Sequence, residues 1–171
     1  MHNPHSQPPS TMTYRHPYSS PLGNMTMVSD GIALTALRFD GEHHATASPQ
    51  EHTQPLPIFD TTQCWLDLYF GGRSPSFTPP IAPRGTAFQR AVWGHVLTIP
   101  HGATLSYGAI ACRLSPSMSA QAVGGAVGRN PISIIIPCHR VVGAHGTLTG
   151  YASGIDRKAW LLQHEGIMLG I

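Results

Sequence analysis

The chain is almost devoid of lysine: nine of its ten basic residues are arginine, and Lys158 is the exception. Arginine suits planar, bidentate contacts to phosphates and base edges. A GC-rich coding bias gives the same skew, so the excess alone assigns no partner. Charge is scarce altogether, at 11% of residues, with a formal net of +2 when the eleven histidines are neutral. So mild a balance permits an acidic partner without demanding one. Only three cysteines occur, Cys64, Cys112 and Cys138, widely spaced and without a Cys-x-x-Cys pair. That argues against a disulfide framework and a structural zinc site, and for a reducing compartment. No apolar run approaches the roughly 18 residues of a membrane span. No charged-then-apolar leader opens the chain. A cytoplasmic protein without membrane association is expected.

Apolar residues make up 41% of the 171 positions, sufficient for one domain or two small ones. Residues 1–22 are rich in Pro, Ser and His without periodicity and are expected to form a disordered tail. Rough alternation over 24–39, with Asp30-Gly31 between two runs, predicts a hairpin. Residues 41–57 read as loop. Residues 58–72 predict a helix on which Cys64, Leu66, Leu68 and Tyr69 share faces, ended by Gly71-Gly72. Four prolines between Pro75 and Pro83 mark a linker. The expected division is therefore a tail (1–22), a small α/β domain (23–82) and a second domain (83–171).

The second domain is more regular. Thr86 and Gln89 fit a capping box that opens a helix stopped by Pro100. Ser106 caps a short helix over 107–114. Ser115-Pro116 is expected to open a third helix running to about Gly128, and the pair forms a helix-turn-helix pattern. A strand is expected over 132–136 and a last helix over 155–165. The third helix carries Gly124, Gly125 and Gly128, each costing about 1 kcal/mol against alanine in a helix interior. Close helix packing and a flat face for a nucleic-acid groove both account for them. Cys64 and Cys112 are expected in the core; His43, His44, His95 and His101 on the surface.

The apolar run 132–136 leads straight into Pro137-Cys138-His139-Arg140. A thiol reacts as thiolate, and cationic or hydrogen-bonding neighbours favour that form. Neighbours on a strand point to opposite faces, but Pro137 breaks the regularity and a turn can return His139 to Cys138. A histidine base is oriented by an acid, and Glu165 is the best placed of eight acids. On composition alone, Cys138 reads first as a buried structural cysteine.

Pro137-Cys138-His139-Arg140-Val141-Val142 resembles the active-site motif of the O6-alkylguanine-DNA alkyltransferases. The stretches "GTAFQRAVWGHVLTIPHGATLSYGAIA", "AVGGAVGRNPISIIIPCHRVVG" and "GYASGIDRKAWLLQHEG" match that family in order and spacing. The likeness is good over 59–167 and looser in the hairpin. It implies a small RNase H-like N-terminal domain, an antiparallel sheet with a helix, followed by a mostly helical, winged-helix-like C-terminal domain. It implies that Cys138 takes an alkyl group from guanine O6, once per molecule and without a cofactor. His139 would accept the thiol proton through a water, held by Glu165. Asn130 would support the network, and Tyr107 would donate to the departing guanine. Cys138, Val141 and the loop Gly150, Tyr151 and Ala152 would line the base pocket, with Tyr151 stacking on the base. The partner implied is double-stranded DNA, read from the minor groove with the damaged base flipped out. Ala122, Gly125 and Ala126 would face that groove and Arg129 a phosphate. A monomer without metal is expected, since the zinc-ligand set of some relatives is absent.

Many relatives carry arginine at the position of Gln121, where it fills the gap left by the flipped base. Glutamine is shorter and uncharged. The alternative class is a non-catalytic binder of alkylated DNA, against which the presence of Cys138 argues. A cysteine hydrolase would need an oxyanion hole, which the sequence does not name. A transcription regulator has only the helix-turn-helix pattern in its favour.

Overall fold

The computed structural model describes residues 12–42 and 51–170. Strands β1 (Thr13–Ser20), β2 (Gly23–Ser29), β3 (Leu34–Phe39) and β4 (Glu51–His52) form one sheet of order β3-β2-β1-β4. β1–β2 and β2–β3 are antiparallel and β1–β4 is parallel. The expected hairpin is β2–β3. Its connection is tied by Asp30, whose Oδ1 accepts from the Ile32 and Ala33 amides at 2.9 Å each.

β1 corrects the expectation of a disordered tail through residue 22. It is a full strand, whose signal was hidden because only Tyr18 of its eight residues is buried. Pro17 is tolerated because β4 reaches only Thr13 and Tyr14, which leaves the rest of β1 as a sheet edge. Half of the expected tail, residues 1–11, lies outside the described residues, as do His43 and His44.

Helix α1 (Pro57–Phe70) covers one face of the sheet. Its buried stripe is Ile58, Phe59, Thr62, Trp65, Leu66 and Tyr69, spaced three and four apart. It packs with Met25, Met27, Leu37 and Phe39 in one apolar cluster. Cys64 lies off that stripe and is exposed, as is Cys112, so neither is a core residue.

The proline-rich segment does not act as a free linker. The Leu34 amide donates to the Pro80 carbonyl and the Ala82 amide to the Leu34 carbonyl, both at 2.8 Å. Further along the same edge of β3, the Leu37 amide donates to the Pro131 carbonyl and the Ser133 amide to the Leu37 carbonyl, both at 2.9 Å. One strand edge therefore holds both the inter-domain segment and the chain leading to Cys138. A single cluster of buried residues runs through both halves.

In the second half, α2 (Ala87–Leu97) has the expected capping box on Thr86 and Gln89. α3 (Tyr107–Leu114) is capped by Ser106. α4 is Ala120–Val127 and is capped by Ser119, not Ser115. Ser115 instead ends α3, and 115–119 form the turn of the helix-turn-helix. The Trp93 indole donates to the Ala126 carbonyl at 2.9 Å, which locks α2 against α4. Short strands β5 (Leu105–Ser106) and β6 (Val141–Val142) pair in parallel and join the start of α3 to the exit of the cysteine turn. α5 (Ile155–His164) closes the fold. Among the described residues no helix is long and apolar enough to cross a membrane.

Candidate active site

The isoleucine run is not a strand. Residues 132–136 coil into a compact knot, with the Ile135 amide on the Ser133 carbonyl at 2.8 Å and the Ile136 amide on the Ile132 carbonyl at 3.1 Å. Ile134 sits at φ 70°, a costly region for a β-branched residue. The Asn130 side chain makes this possible. Its Nδ2 donates to the carbonyls of Ile132 (3.2 Å) and Ile136 (2.9 Å), while Oδ1 accepts from the Ile132 amide (2.9 Å). Those bonds replace the ladder a strand would have made. Pro137 follows at φ −81°, ψ 64°, an inverse γ-turn closed by the Cys138 amide on the Ile136 carbonyl at 2.8 Å. Cys138 then opens a 3₁₀ turn, Cys138–Arg140.

Cys138 is buried at the floor of a cavity of about 130 Å³. Tyr107, Gly124, Asn130, Gly150, Tyr151 and Ala152 line it beside Cys138. A wider groove opens next to it, bounded by Tyr107, Ala120, Gln121, Gly124 and Gly150. The two share Tyr107, Gly124 and Gly150, so the helix-turn-helix face leads into the pocket.

Behind the cysteine lies a buried polar network. Glu165 Oε1 is 2.6 Å from His139 Nε2 and accepts from Tyr69 Oη at 2.8 Å and Arg140 Nη2 at 3.0 Å. Oε2 accepts from Arg140 Nε at 2.9 Å and from the Gly102 amide at 3.1 Å. The remaining Arg140 donor, Nη1, reaches the Ile99 carbonyl at 2.7 Å. Burial alone would raise the Glu165 carboxyl, but His139 and Arg140 outweigh it and hold the group well below the usual carboxylate range. Burial lowers the pKa of His139, and Glu165 only partly opposes it. An ionised carboxylate can only accept, so Nε2 carries the proton and Nδ1 keeps its lone pair. Nδ1 is buried and has no hydrogen-bond partner among the described residues. Burial pushes the Cys138 thiol up to about 12, against the pull of an Asn130 hydrogen bond and the Lys158 charge. Burial thus disfavours a free thiolate at neutral pH.

Lys158 is fully buried beneath the pocket. Its Nζ donates to the carbonyls of Val141 (2.6 Å), Thr149 (3.1 Å) and Gly150 (3.2 Å) and lies 5.8 Å from the Tyr107 ring centre. Burial lowers its pKa to about 8. Tyr107 Oη donates to the Thr149 carbonyl at 3.1 Å, and burial raises its pKa.

Of the residues expected in the site, Cys138, Asn130, Tyr107, Gly150, Tyr151 and Ala152 meet in the pocket, and His139 and Glu165 meet behind it. Val141 is buried, its carbonyl taken by Lys158 rather than turned to the cavity. Gln121, Ala122, Gly125 and Arg129 are exposed on or just beyond α4. Ala126 is buried, because α4 turns that position against Trp93, so it does not face a groove. His101 is not a plain surface residue: its Nε2 is buried and its ring meets Tyr69 edge-on at 6.1 Å. Sequence reasoning missed Tyr69, Lys158 and the role of Arg140. Arg140 lies inside the motif and Lys158 is the single lysine, so both were visible; Tyr69 gave no signal.

Fold and site together define a helix-turn-helix protein with a thiol lining a pocket and a buried imidazole–carboxylate pair beside it. Residues 13–83 match the 6-O-methylguanine DNA methyltransferase, ribonuclease-like domain, and residues 87–167 match the 6-O-methylguanine DNA methyltransferase, DNA binding domain. The chain belongs to that family. It is 43% identical over 159 residues to the methylated-DNA–protein-cysteine methyltransferase of Haemophilus influenzae, covering 92% of this chain and 88% of that one. The enzyme of the same name from Methanosarcina acetivorans is 41% identical over 149 residues, 87% and 96% of the two chains. Among solved structures, Mycobacterium tuberculosis OGT in complex with DNA is 43% identical with a TM-score of 0.81, covering 89% and 92%.

Proposed function

We propose that this chain repairs DNA by moving an alkyl group from guanine O6 onto Sγ of Cys138. The observation that carries the reading is Cys138 at the floor of the pocket, backed by His139 and Glu165. A base stacked in a duplex cannot reach so buried a thiol, so the nucleotide is flipped out. α4 supports entry from the minor groove, with Gln121 on the rim of the groove that leads to the cysteine.

His139 Nδ1 takes the thiol proton through a water molecule, with Glu165 fixing the tautomer. Sγ attacks the alkyl carbon, the S–C bond forms as the C–O6 bond breaks, and the electron pair passes to guanine. Tyr107 exchanges its Thr149 partner for the base and donates to the purine ring. Guanine then leaves neutral, and Tyr107 regains a proton from the one His139 holds. The Cys138 thioether has no group beside it that would cleave it, so each molecule acts once and needs no cofactor. The substrate is alkylated guanine in duplex DNA, and the acting unit is a monomer. Ala122 and Gly125 face the groove, and Arg129 meets a phosphate.

The test is a single-turnover assay with a duplex carrying radiolabelled O6-methylguanine, using the wild type and Cys138→Ala. One label per chain, only with the cysteine present, is expected. Binding of the alkylated duplex without any transfer would make the protein a lesion sensor instead.

A further inference from the structure

The Tyr69 hydroxyl comes from α1, in the N-terminal half of the chain, yet it donates to the Glu165 carboxylate beside His139. The ring is fully buried, stacked on Trp65 at 5.4 Å and 8°. Its Oη donates to Glu165 Oε1 at 2.8 Å and lies 3.5 Å from His139 Nε2. Arg140 already neutralises Glu165 through two bonds. The tyrosine therefore adds no charge; it competes with His139 for one oxygen.

We propose that Tyr69 is a positioning residue for alkyl transfer, holding His139 as a neutral base by sharing the Glu165 oxygen that would otherwise favour imidazolium. This rests on the function proposed above. When His139 is neutral, Oε1 carries the fuller negative charge and the tyrosine bond is at its strongest. When His139 is protonated, the imidazolium draws on that charge and the tyrosine bond weakens. Tyr69 therefore stabilises the neutral state and lowers the pH at which His139 becomes charged.

The groups that face this triad come from every element around it. Arg140 and Cys138 lie on the 3₁₀ turn, and His101 is 6.1 Å from the Tyr69 ring on the loop after α2. Lys158 and His164 lie on α5, His164 with its ring 5.3 Å from that of Tyr69 and its Nε2 2.6 Å from the Tyr69 carbonyl. Tyr151 acts from the pocket loop. None of them donates to Oε1 in place of Tyr69 among the described residues except Arg140, which does so already.

The test is Tyr69→Phe, which keeps the ring and its stack and removes only the hydroxyl. Nitrogen-15 NMR of the His139 ring, followed against pH, reads the proposal without substrate. The His139 midpoint is expected to rise by about 0.5–1 unit. The acid limb of the single-turnover rate should move by the same amount, a loss of about 3- to 10-fold below the midpoint with the alkaline plateau kept. Tyr18→Phe is the control, since it removes another helix-to-sheet hydroxyl, on Asp67 at 2.8 Å, and should leave the midpoint in place. An unchanged His139 midpoint in Tyr69→Phe overturns the proposal, as does an equal shift in Tyr18→Phe. Wild-type protein that transfers no label defeats the proposed function instead, and the NMR titration still decides the role of Tyr69.

Discussion

Asn130 is the cheapest place to dismantle the site, because one side chain holds both ends of the isoleucine knot. Asn130→Ala removes three hydrogen bonds to the backbone, two to carbonyls and one from an amide, besides its contact with the Cys138 thiol. At about 1 kcal/mol net each they sum to roughly 3 kcal/mol, and leaving buried partners unsatisfied raises the loss toward 6. Ile134, at φ 70°, adds strain that the knot then no longer opposes. For a chain of this length 3 kcal/mol lowers the melting temperature by about 6–12 °C. The Ile136 carbonyl also accepts the Cys138 amide, so the cysteine loses its register with the pocket. A displacement of about 1 Å costs on the order of 100-fold in rate. Asn130→Asp separates the two effects. It keeps the acceptor but must be protonated to donate, and then to only one of the two carbonyls, so its folded pKa lies above the ordinary value. Its stability is then fully present below about pH 4 and lost as pH rises through the raised folded pKa. Circular-dichroism melts across pH, with single-turnover rates, measure both. An alanine variant that melts with the wild type, or an aspartate variant indifferent to pH, refutes the reasoning.

Glu165→Gln should cost about 3–5 kcal/mol, since it leaves Arg140 as an uncompensated buried charge. Because the Glu165 carboxyl is held low, its contribution is present above the ordinary carboxylate range and fades as pH falls toward its depressed value. The stability gap between wild type and variant, measured by urea unfolding, should therefore narrow in acid. Gln121→Arg should raise the repair rate on duplex DNA and leave the rate with free O6-methylguanine unaltered; equal duplex rates would remove Gln121 as the limiting group. A Cβ at Gly125 would meet nothing within 4 Å, so close packing does not explain that glycine. Gly125→Leu should keep the fold and weaken duplex binding, read by fluorescence anisotropy; undiminished affinity would take α4 out of the groove.

The readable parts of the chain were those that rest on local chemistry. Capping boxes and serine caps are written within four residues, so α2 and α3 fell where expected. The hairpin and α1 followed from periodicity. The misreadings have one cause, contacts that arrive from far away. β1 hides among prolines and serines because its partners, not its own side chains, make it a strand. Isoleucines at 132–136 favour a strand by propensity, but Asn130 and the edge of β3 override it. Ser115-Pro116 opens helices in general, yet the tight turn needs those residues, and Ser119 takes the cap. In the site, Cys138, His139 and Glu165 came from the motif and the family likeness. Tyr69 could not, because 96 residues separate it from the carboxylate it serves.

The outer edge of β3 sets an order of events. Leu37 leaves the ribosome long before Pro131 and Ser133, the residues that dock beside it. Contacts so distant in sequence close late in folding. Until they do, the chain before Cys138 has no knot and no turn, and His139 has no place behind the thiol. The buried pairing of His139 with Glu165 therefore exists only once the second half has docked on β3.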